Sequence, residues 1–391
     1  MIEFTLPSLG ADMDEGTLLS WQVKPGDSVK RGQVVAVVDT SKAAVDVEIW
    51  QDGVVAELKV APGEKVPVGT VLATLHAPGE TTTSTPAAPT PASSPAQRHP
   101  VSPLARKRAR ELGIDPDTLR GSGAQGSVTL ADIEAAAKAS PAPEVVAPGA
   151  PAASDAIARQ KEMRRAIAAA MSRSKREIPH YYLSETIPMG TALAWLQQRN
   201  RNLPITERIL PAALLLKAVA LALQRTPQLN GFFRDGVFVP ASSVHAGVAI
   251  SLRGGGLVAP AIHAVETLTL NQLMAALGDL VKRARAGSLR SSEMSDPSIT
   301  VTNLGDQSAQ TVFGVIYPPQ VALVGFGAIA ERPWVEAGAL CAAPLLTATL
   351  AADHRVSDGH QGALFLVELR ERLQQPQALA DACATSTLTQ E

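Results

Sequence analysis

Two proline-rich segments divide this chain of 391 residues. Residues 77–100 and 139–155 consist mainly of proline, alanine, serine and threonine, and they contain almost no large apolar side chain. Neither segment can build a hydrophobic core, so both are predicted to be semi-extended linkers. The chain is therefore expected to fold as three separate units, over residues 1–76, 101–138 and 156–391.

Composition excludes several classes of protein. Lys plus Arg number 35 and Asp plus Glu 37, so no overall positive field favours binding to nucleic acid. Cys341 and Cys383 cannot form a disulfide framework or a four-thiolate zinc site, and no metal is expected. The most apolar stretch, 209–223, is too short to span a membrane. The N-terminus lacks the pattern of a signal peptide, so a cytoplasmic protein is expected.

The first unit contains an internal repeat. Residues 16–39 match residues 53–76 at a constant offset of 37. A Pro-Gly-acidic turn at 25–27 recurs at 62–64, and two further glycines align without a gap. Apolar and polar residues alternate between the turns, which indicates short antiparallel strands. The repeat predicts two similar β units packed as a flattened barrel or sandwich with approximate twofold symmetry.

The two halves meet at a predicted hairpin turn over residues 40–43, with Lys42 at its tip. At this point the first unit resembles a lipoyl domain, in which a lysine at the hairpin tip is amidated by lipoic acid. The family commonly has Asp-Lys-Ala here, and this chain has Ser41-Lys42-Ala43. Biotin-carrier domains share the fold but usually carry Met-Lys-Met. The resemblance implies covalent lipoic acid on Lys42.

The middle unit is predicted to be two short helices. Residues 102–113 form the first, a glycine-rich loop follows at 121–126, and Thr129 is a predicted N-cap for the second. This pattern resembles the peripheral subunit-binding domain, which docks dihydrolipoamide dehydrogenase. The resemblance implies docking through four basic residues of the first helix: Arg106, Lys107, Arg108 and Arg110. The alternatives for this cluster are a solvated helix face or a nucleic-acid contact, and Ser127 replaces an arginine common in the family.

The third unit alternates helical and strand patterns. Helices are predicted over 157–175, 191–199, 210–225, 270–286 and 363–374, and strands over 242–252, 257–263, 298–302, 320–329 and 345–351. The last strand runs directly into His354, and Asp358 follows four residues later. Histidine has the proton affinity to accept a proton near neutral pH. A thiol nucleophile needs such a base, because little of it is thiolate at pH 7.

The segment 353–359, Asp-His-Arg-Val-Ser-Asp-Gly, resembles the signature of the acyltransferase domain of 2-oxo acid dehydrogenase complexes. Residues 178–180, 298–305 and 318–320 match further landmarks of that family. The resemblance implies an α/β core similar to chloramphenicol acetyltransferase. It also implies the roles of three residues. His354 is the general base, Thr302 donates a hydrogen bond to the oxyanion, and Asp358 is a structural residue that holds an arginine. Structural or surface positions are expected for the other histidines of this unit: His180, His245, His263 and His360.

Taken together, the resemblances imply a multidomain dihydrolipoamide acyltransferase that passes an acyl group from lipoyl-Lys42 to coenzyme A. Its implied partners are dihydrolipoamide dehydrogenase and a thiamine-diphosphate-dependent 2-oxo acid dehydrogenase, around a core of homotrimers. Residues 6–16 resemble the lipoyl domains of acetyltransferases more than those of succinyltransferases, and this resemblance favours an acetyl group derived from pyruvate. Acetoin and branched-chain 2-oxo acids remain open. A non-catalytic lipoyl-bearing scaffold is the rival reading, against which the presence of His354, Asp358 and Thr302 argues.

Overall fold

The structure is a computed structural model. It describes residues 1–7, 13, 15–40, 44–76, 109, 122–123, 127–133, 153–252, 256–305 and 309–380, with 153–160 described by their backbone alone. The chain forms two compact units. One comprises residues 1–80 with 155–391, and the other comprises residues 81–154.

Residues 1–76 fold into two antiparallel sheets around a shared apolar core. The first sheet has the order β1-β8-β6-β3, and the second has the order β5-β4-β2-β7. The strands are β1 (Ile2–Thr5), β2 (Glu15–Trp21), β3 (Ser28–Val29), β4 (Gln33–Asp39), β5 (Ala44–Ile49), β6 (Gly53–Leu58), β7 (Lys65–Pro67) and β8 (Val71–His76).

The predicted twofold repeat is present in this β domain. The offset of 37 residues relates β2, β3 and β4 to β6, β7 and β8, and the order of the two sheets agrees with that relation. The repeated turn glycines also share a backbone conformation, with φ of +96° at Gly26 and +89° at Gly63. Glycine is favoured there because this left-handed region strains residues with a Cβ atom. Lys42 belongs to the segment between β4 and β5, and residues 41–43 lie outside the described residues.

The described part of residues 81–154 is anchored by one carboxylate. Asp132 accepts hydrogen bonds from the backbone N–H and hydroxyl of Thr129, at 2.8 and 2.9 Å, and from both donors of Ser122. These bonds hold the pKa of Asp132 well below its usual range. The predicted helix start after Thr129 is confirmed, because residues 130–133 are helical. Arg106, Lys107, Arg108 and Arg110 lie outside the described residues.

The larger domain is built from one mixed sheet and the helices packed on it. Its helices are α1 (Ala153–Glu177), α2 (Gly190–Asn200), α3 (Pro211–Leu223), α4 (Leu270–Ala286), α5 (Ser291–Ser295) and α6 (Gly359–Gln374). Single 3-10 turns occur at Ile205–Glu207, Pro227–Leu229, Val265–Thr267 and Pro376–Leu379.

The strands of this domain are β9 (His180–Pro188), β10 (Gly231–Arg234), β11 (Val237–Pro240), β12 (Ala246–Val248), β13 (Ile250–Ser251), β14 (Leu257–Val258), β15 (Ala261–Ile262), β16 (Leu289–Arg290), β17 (Ile299–Asn303), β18 (Ala322–Phe326), β19 (Ala330–Glu336) and β20 (Ala339–Asp353). Seven of them form the main sheet, in the order β15-β12-β17-β18-β20-β19, with β9 also paired to β20. The strands β12, β17 and β18 are mutually parallel, and the other pairs are antiparallel.

The centre of the core is α3, whose side chains from Ala213 to Leu223 are all buried. Lys217 is among them, and its ammonium group donates to the carbonyl oxygens of Glu266 and Leu268 at 2.8 and 2.5 Å. These bonds satisfy a charge that would otherwise be costly to bury. They also tie α3 to the 3-10 turn at Val265–Thr267.

The predicted elements of this domain match the structure unevenly. The helix predicted over 270–286 is observed with the same bounds, and its N-cap Thr269 forms a capping box with Gln272. The strand predicted over 345–351 is longer, and the strand predicted over 320–329 is shorter. The long strand β9, the hairpin β10–β11 and the strand β19 were not predicted.

Candidate active site

His354 lies in the turn that links β20 to α6. Its backbone N–H donates to the carbonyl oxygen of Pro179 at 3.0 Å, and its imidazole meets the ring of Tyr181 edge-to-face, with centroids 5.3 Å apart. Tyr181 is fixed by a 2.9 Å hydrogen bond between its hydroxyl and that of Ser357. Burial raises the pKa of Tyr181, so its hydroxyl stays protonated. His354 itself is an exposed residue.

The residues on either side of His354 form an ion pair. Asp353 is fully buried at the end of β20, and its two carboxylate oxygens accept from the Nε and Nη2 of Arg355 at 2.9 and 2.6 Å. The guanidinium carbon of Arg355 lies 4.0 Å from the ring centre of Phe233. Two parallel N–H bonds to one carboxylate fix the orientation of both groups. The backbone of His354 is therefore held between two anchored neighbours.

Among the described residues of this chain, Asp358 forms no ion pair with an arginine. Asp358 is exposed and is the N-cap of α6, where its side chain accepts from the backbone N–H of Gln361 at 3.0 Å. This bond lowers the pKa of Asp358. The arginine pairs instead with Asp353, which sequence reasoning assigned no role. Asp353 is buried where the strand ends, and a buried carboxylate needs a cationic partner more than an exposed one does.

Thr302 lies on β17. The strand β18 separates β17 from β20, the strand that leads to His354. The preceding hydroxyl, of Thr300, donates to Gln320 Oε1 at 2.7 Å, and Gln320 Nε2 donates to the carbonyl of Pro297 at 3.0 Å. These buried bonds fix the strand. Within the described part of the chain the hydroxyl of Thr302 has no hydrogen-bond partner and is half-buried. It is therefore available to an oxygen atom of a ligand.

Thr302 opens into a cavity of about 870 Å³. Apolar and aromatic side chains make up much of its wall, and Thr302 and Arg355 add polar groups. Its other lining residues include Met171, Phe233, Leu257 and Tyr317. Cavities of this size and character are typical of small-molecule and cofactor sites.

The sheet keeps His354 and Thr302 apart within one chain. Thr302 is in register with Gly325 on β18, and Gly325 is in register with Thr349 on β20. His354 lies beyond the far end of β20. With a strand spacing of about 4.8 Å and a rise of about 3.3 Å per residue, the two Cα atoms are roughly 15–20 Å apart. One reacting centre cannot contact both side chains of the same chain.

Three further histidines and Cys341 have structural surroundings, while Cys383 lies outside the described residues. His180 donates from Nδ1 to the carbonyl of Ile178 at 2.9 Å and accepts from the N–H of Ile316 at Nε2. Burial lowers its pKa. His245 accepts from a backbone N–H, and His263 pairs with Asp296 at 3.0 Å. Cys341 donates to a backbone carbonyl. Among the described residues, no cluster of three metal-ligating side chains occurs, and no helix could cross a membrane.

Three family models match this chain. The model for the catalytic domain of 2-oxoacid dehydrogenase acyltransferases matches residues 153–380. The chain belongs to this family of acyltransferases. The model described as biotin-requiring enzyme, which covers biotinyl and lipoyl domains, matches residues 2–75, and the model described as e3 binding domain matches residues 100–134. The predicted family and the predicted α/β catalytic core are confirmed.

Relatives and solved structures support the same assignment. The dihydrolipoyllysine-residue acetyltransferase component of the pyruvate dehydrogenase complex of Zymomonas mobilis is 30% identical, over 96% of this chain and 98% of that protein. The corresponding mitochondrial protein of Neurospora crassa is 31% identical, over 95% of this chain and 91% of its own length. The crystal structure of the Azotobacter vinelandii dihydrolipoamide acetyltransferase has a TM-score of 0.52 and 25% identity, and it covers 56% of this chain and 90% of that one.

A probable dihydrolipoamide acetyltransferase from Listeria monocytogenes is equally similar, with a TM-score of 0.51 and 25% identity. It covers 55% of this chain and 92% of that one. The protein is an enzyme, an acyltransferase with a lipoyl domain, and lipoic acid on a lysine is its covalent cofactor. The non-catalytic scaffold is therefore no longer a competing interpretation.

Proposed function

We propose that this protein is the acetyltransferase of a cytoplasmic pyruvate dehydrogenase complex, and that it transfers acetyl groups from lipoyl-Lys42 to coenzyme A. The curated relatives that support it carry that description and align over nearly the whole chain. We further propose that the reaction occurs where His354 of one chain meets Thr302 of another. Dihydrolipoamide dehydrogenase and a thiamine-diphosphate-dependent pyruvate dehydrogenase would be its partners.

The spacing of three residues carries the proposal for the site. The description of the Azotobacter vinelandii structure names a serine, a histidine and an asparagine in the catalytic mechanism, with 52 residues from serine to histidine and four from histidine to asparagine. Thr302, His354 and Asp358 have the same two separations here. Threonine keeps the hydroxyl of serine, and aspartate keeps the acceptor oxygen of asparagine.

The chemistry of these side chains fits acetyl transfer. Attached lipoic acid supplies the thioester that carries the acetyl group. His354 accepts the proton of the coenzyme A thiol, which makes the sulfur nucleophilic, and later returns that proton to the departing thiol. The Thr302 hydroxyl donates a hydrogen bond to the carbonyl oxygen as it gains negative charge. Arg355 and Tyr181 hold His354 and its backbone in place.

The separation within one chain supports a site shared between chains. His354 is exposed on its own chain, and Thr302 faces a cavity that His354 of the same chain does not line. A ring of identical chains joined head to tail would bring each exposed histidine to the cavity of the next chain. A homotrimer, as the family resemblance implies, has this arrangement.

Replacement of Lys42 by arginine tests the proposed carrier. Lys42→Arg should abolish pyruvate-dependent acetyl-coenzyme A formation by the reconstituted complex, because arginine cannot be lipoylated. Acetyl transfer from acetyl-coenzyme A to free dihydrolipoamide should remain within about twofold of wild type, since the catalytic domain is unchanged. Intact mass of the variant must lack the lipoyl increment. A lipoylated Lys42→Arg protein would place the cofactor on another lysine.

The matched control is Lys65→Arg, on β7 of the same domain, where the ammonium pairs with Glu15. This variant should be lipoylated and fully active. A panel of pyruvate, acetoin and branched-chain 2-oxo acids then tests the acetyl assignment. Turnover with a branched-chain acid but none with pyruvate would overturn it.

Docking of dihydrolipoamide dehydrogenase is proposed for Arg106, Lys107, Arg108 and Arg110. The match of residues 100–134 to the e3 binding domain supports this surface. Titration calorimetry of the full chain should show weaker binding after replacement of all four by alanine, and weaker binding of wild type in added salt. Unchanged affinity would move the interface elsewhere.

A further inference from the structure

The edge strands β1 and β5 of the lipoyl domain differ in whether a further strand pairs with them. The second sheet of that domain is extended by β16, which pairs in parallel with β5 so that Val45 faces Leu289 and Asp46 faces Arg290. By the twofold repeat, the counterpart of β5 is β1, at the edge of the first sheet. Among the described strands, none pairs with the outer edge of β1. Since the halves are otherwise alike, the pairing marks β5 as an interaction edge.

One carboxylate of β5 is satisfied by the catalytic domain. Glu48 is only 5% exposed, and its Oε2 accepts from the hydroxyl of Ser292 at 2.6 Å. The backbone N–H of Glu48 donates to the hydroxyl of Ser291 at 3.1 Å. A buried carboxylate without donors would be strongly unfavourable. The residue at the equivalent register position of β1, Thr5, is exposed.

Charges on the two domains are complementary next to this bond. Burial raises the pKa of Asp46, and the nearby guanidinium groups of Arg290 and Arg283 oppose that rise. Asp46 is half-buried and its register partner Arg290 is exposed. Partners in a parallel ladder lie on the same face of the sheet, so these opposite charges face the same side. Complementary charges of this kind fix register.

The helix α5, whose serines form hydrogen bonds with Glu48, also lines the cavity that contains Thr302. Ser291 and Ser292 begin α5, and about one turn further on Met294 and Ser295 line the cavity that contains Thr302. Met294 packs against the apolar core of the lipoyl domain as well as that of the catalytic domain. One short segment therefore touches both the carrier domain and the cavity.

We propose that Leu289–Ser295 is a docking site for the lipoyl domain of the same chain, and that the tethered domain occupies it reversibly during the reaction cycle. This inference rests on the proposed function, because it gives the carrier a resting position on the catalytic domain. Interfaces between domains of one chain resemble those of transient complexes, which suits reversible contact. On release, the edge strand β5 exposes Asp46 and Glu48, and charges on an edge oppose pairing with other chains.

A disulfide trap in the full chain tests the docking. Asp46→Cys combined with Arg290→Cys places two thiols on register partners, whose Cα separation of about 4.8 Å is suitable for a disulfide. Oxidised glutathione should link them within one chain in most molecules, as seen by a peptide map without reductant. The control pair is Glu3→Cys with Arg290→Cys, since Glu3 is the equivalent of Asp46 on β1. Both proteins retain Cys341 and Cys383.

The control pair should give no more link than the background. Equal linking of the two pairs, or no link between positions 46 and 290, would overturn the docking site. A link that joins two chains, which gel electrophoresis without reductant would show, would assign the site to another copy and overturn the same-chain proposal.

Activity of the trapped protein tests reversibility. Trapping should stop pyruvate-dependent turnover by the complex, because the carrier cannot leave, and reduction of the disulfide should restore it. Transfer from acetyl-coenzyme A to free dihydrolipoamide should stay within about twofold of the untreated protein. Turnover that persists in fully trapped protein would overturn a role in the cycle. If the free-substrate reaction is absent before trapping, the proposed function fails while the docking result still stands.

Glu48→Ala provides a second test without cysteines. Loss of a hydrogen-bonded charge should lower the yield of the 46–290 disulfide by about tenfold. Thr5→Ala, at the equivalent position of β1, should leave the yield unchanged. A Glu48→Ala protein that is trapped as fully as its parent would show that this carboxylate does not hold the domain.

Discussion

The two proposed halves of the active site differ in how the chain holds them. His354 lies exposed at a sheet corner and is anchored through its neighbours, by the Asp353–Arg355 ion pair and by Tyr181. Thr302 lies near the end of β17 at the wall of a cavity, and the buried hydrogen bond of Thr300 two residues earlier fixes the strand. The proposed base, His354, is therefore exposed to solvent, and the proposed oxyanion donor, Thr302, faces the cavity. Under the proposed mechanism, the chemistry is complete only where the corner of one copy meets the cavity of another.

The largest effect is expected from His354→Ala. Removal of the general base should lower kcat for acetyl transfer to free dihydrolipoamide by about 10²–10⁴-fold. Its matched control is His360→Ala, an exposed histidine in the first turn of α6, which should keep wild-type kcat. Steady-state kinetics of both variants, with thermal unfolding as a check on folding, make the measurement. Turnover of a folded His354→Ala protein at the wild-type rate would end the general-base assignment.

Thr302→Ala should have the next largest effect. Loss of one oxyanion donor should lower kcat by about 10²–10³-fold, while the KM for coenzyme A changes little because the interaction forms only in the transition state. Thr302→Ser keeps the hydroxyl and should retain most activity. If Ala and Ser variants lose activity equally, the methyl group packs the cavity wall and the hydroxyl is not the donor.

These positions also show how far the sequence predicts the structure. The β domain could be predicted because its Pro-Gly turns and alternating strands are local signals that occur twice. The strand β9 was missed because its nine residues mix aromatic, charged and apolar side chains without alternation. Arg355 pairs with Asp353 because Asp353 is buried and Asp358 is exposed, and the local sequence does not show which of the two carboxylates is buried. The contact of Glu48 with Ser292 joins residues 244 apart in sequence, and no local pattern indicates it.

A mixing experiment tests the division between chains directly. His354→Ala and Thr302→Ala chains, each inactive alone, should regain activity when they are unfolded and refolded together. In a random equal mixture, roughly a quarter of the shared sites combine an intact histidine with an intact threonine, so about a quarter of the wild-type rate is expected. Separately refolded variants that are mixed afterwards are the control. No gain over the parents in verified mixed oligomers would mean that each chain contains a complete site.

The smallest effect is expected at Asp358, where the corner meets α6. Asp358→Asn keeps an oxygen that can accept from the Gln361 N–H, so activity and thermal stability at pH 7 should be nearly unchanged. Asp358→Ala removes the cap and should lower the melting temperature, with a smaller loss of kcat than His354→Ala.

The folded-state pKa of Asp358 is lowered, chiefly by the Gln361 N–H. Its contribution to stability is therefore present above the ordinary aspartate pKa and is lost as pH falls through the lowered value. Melting temperatures measured across that acidic range should converge for wild type and Asp358→Ala. A gap that stays constant at every pH would mean that the carboxylate charge takes no part in the cap.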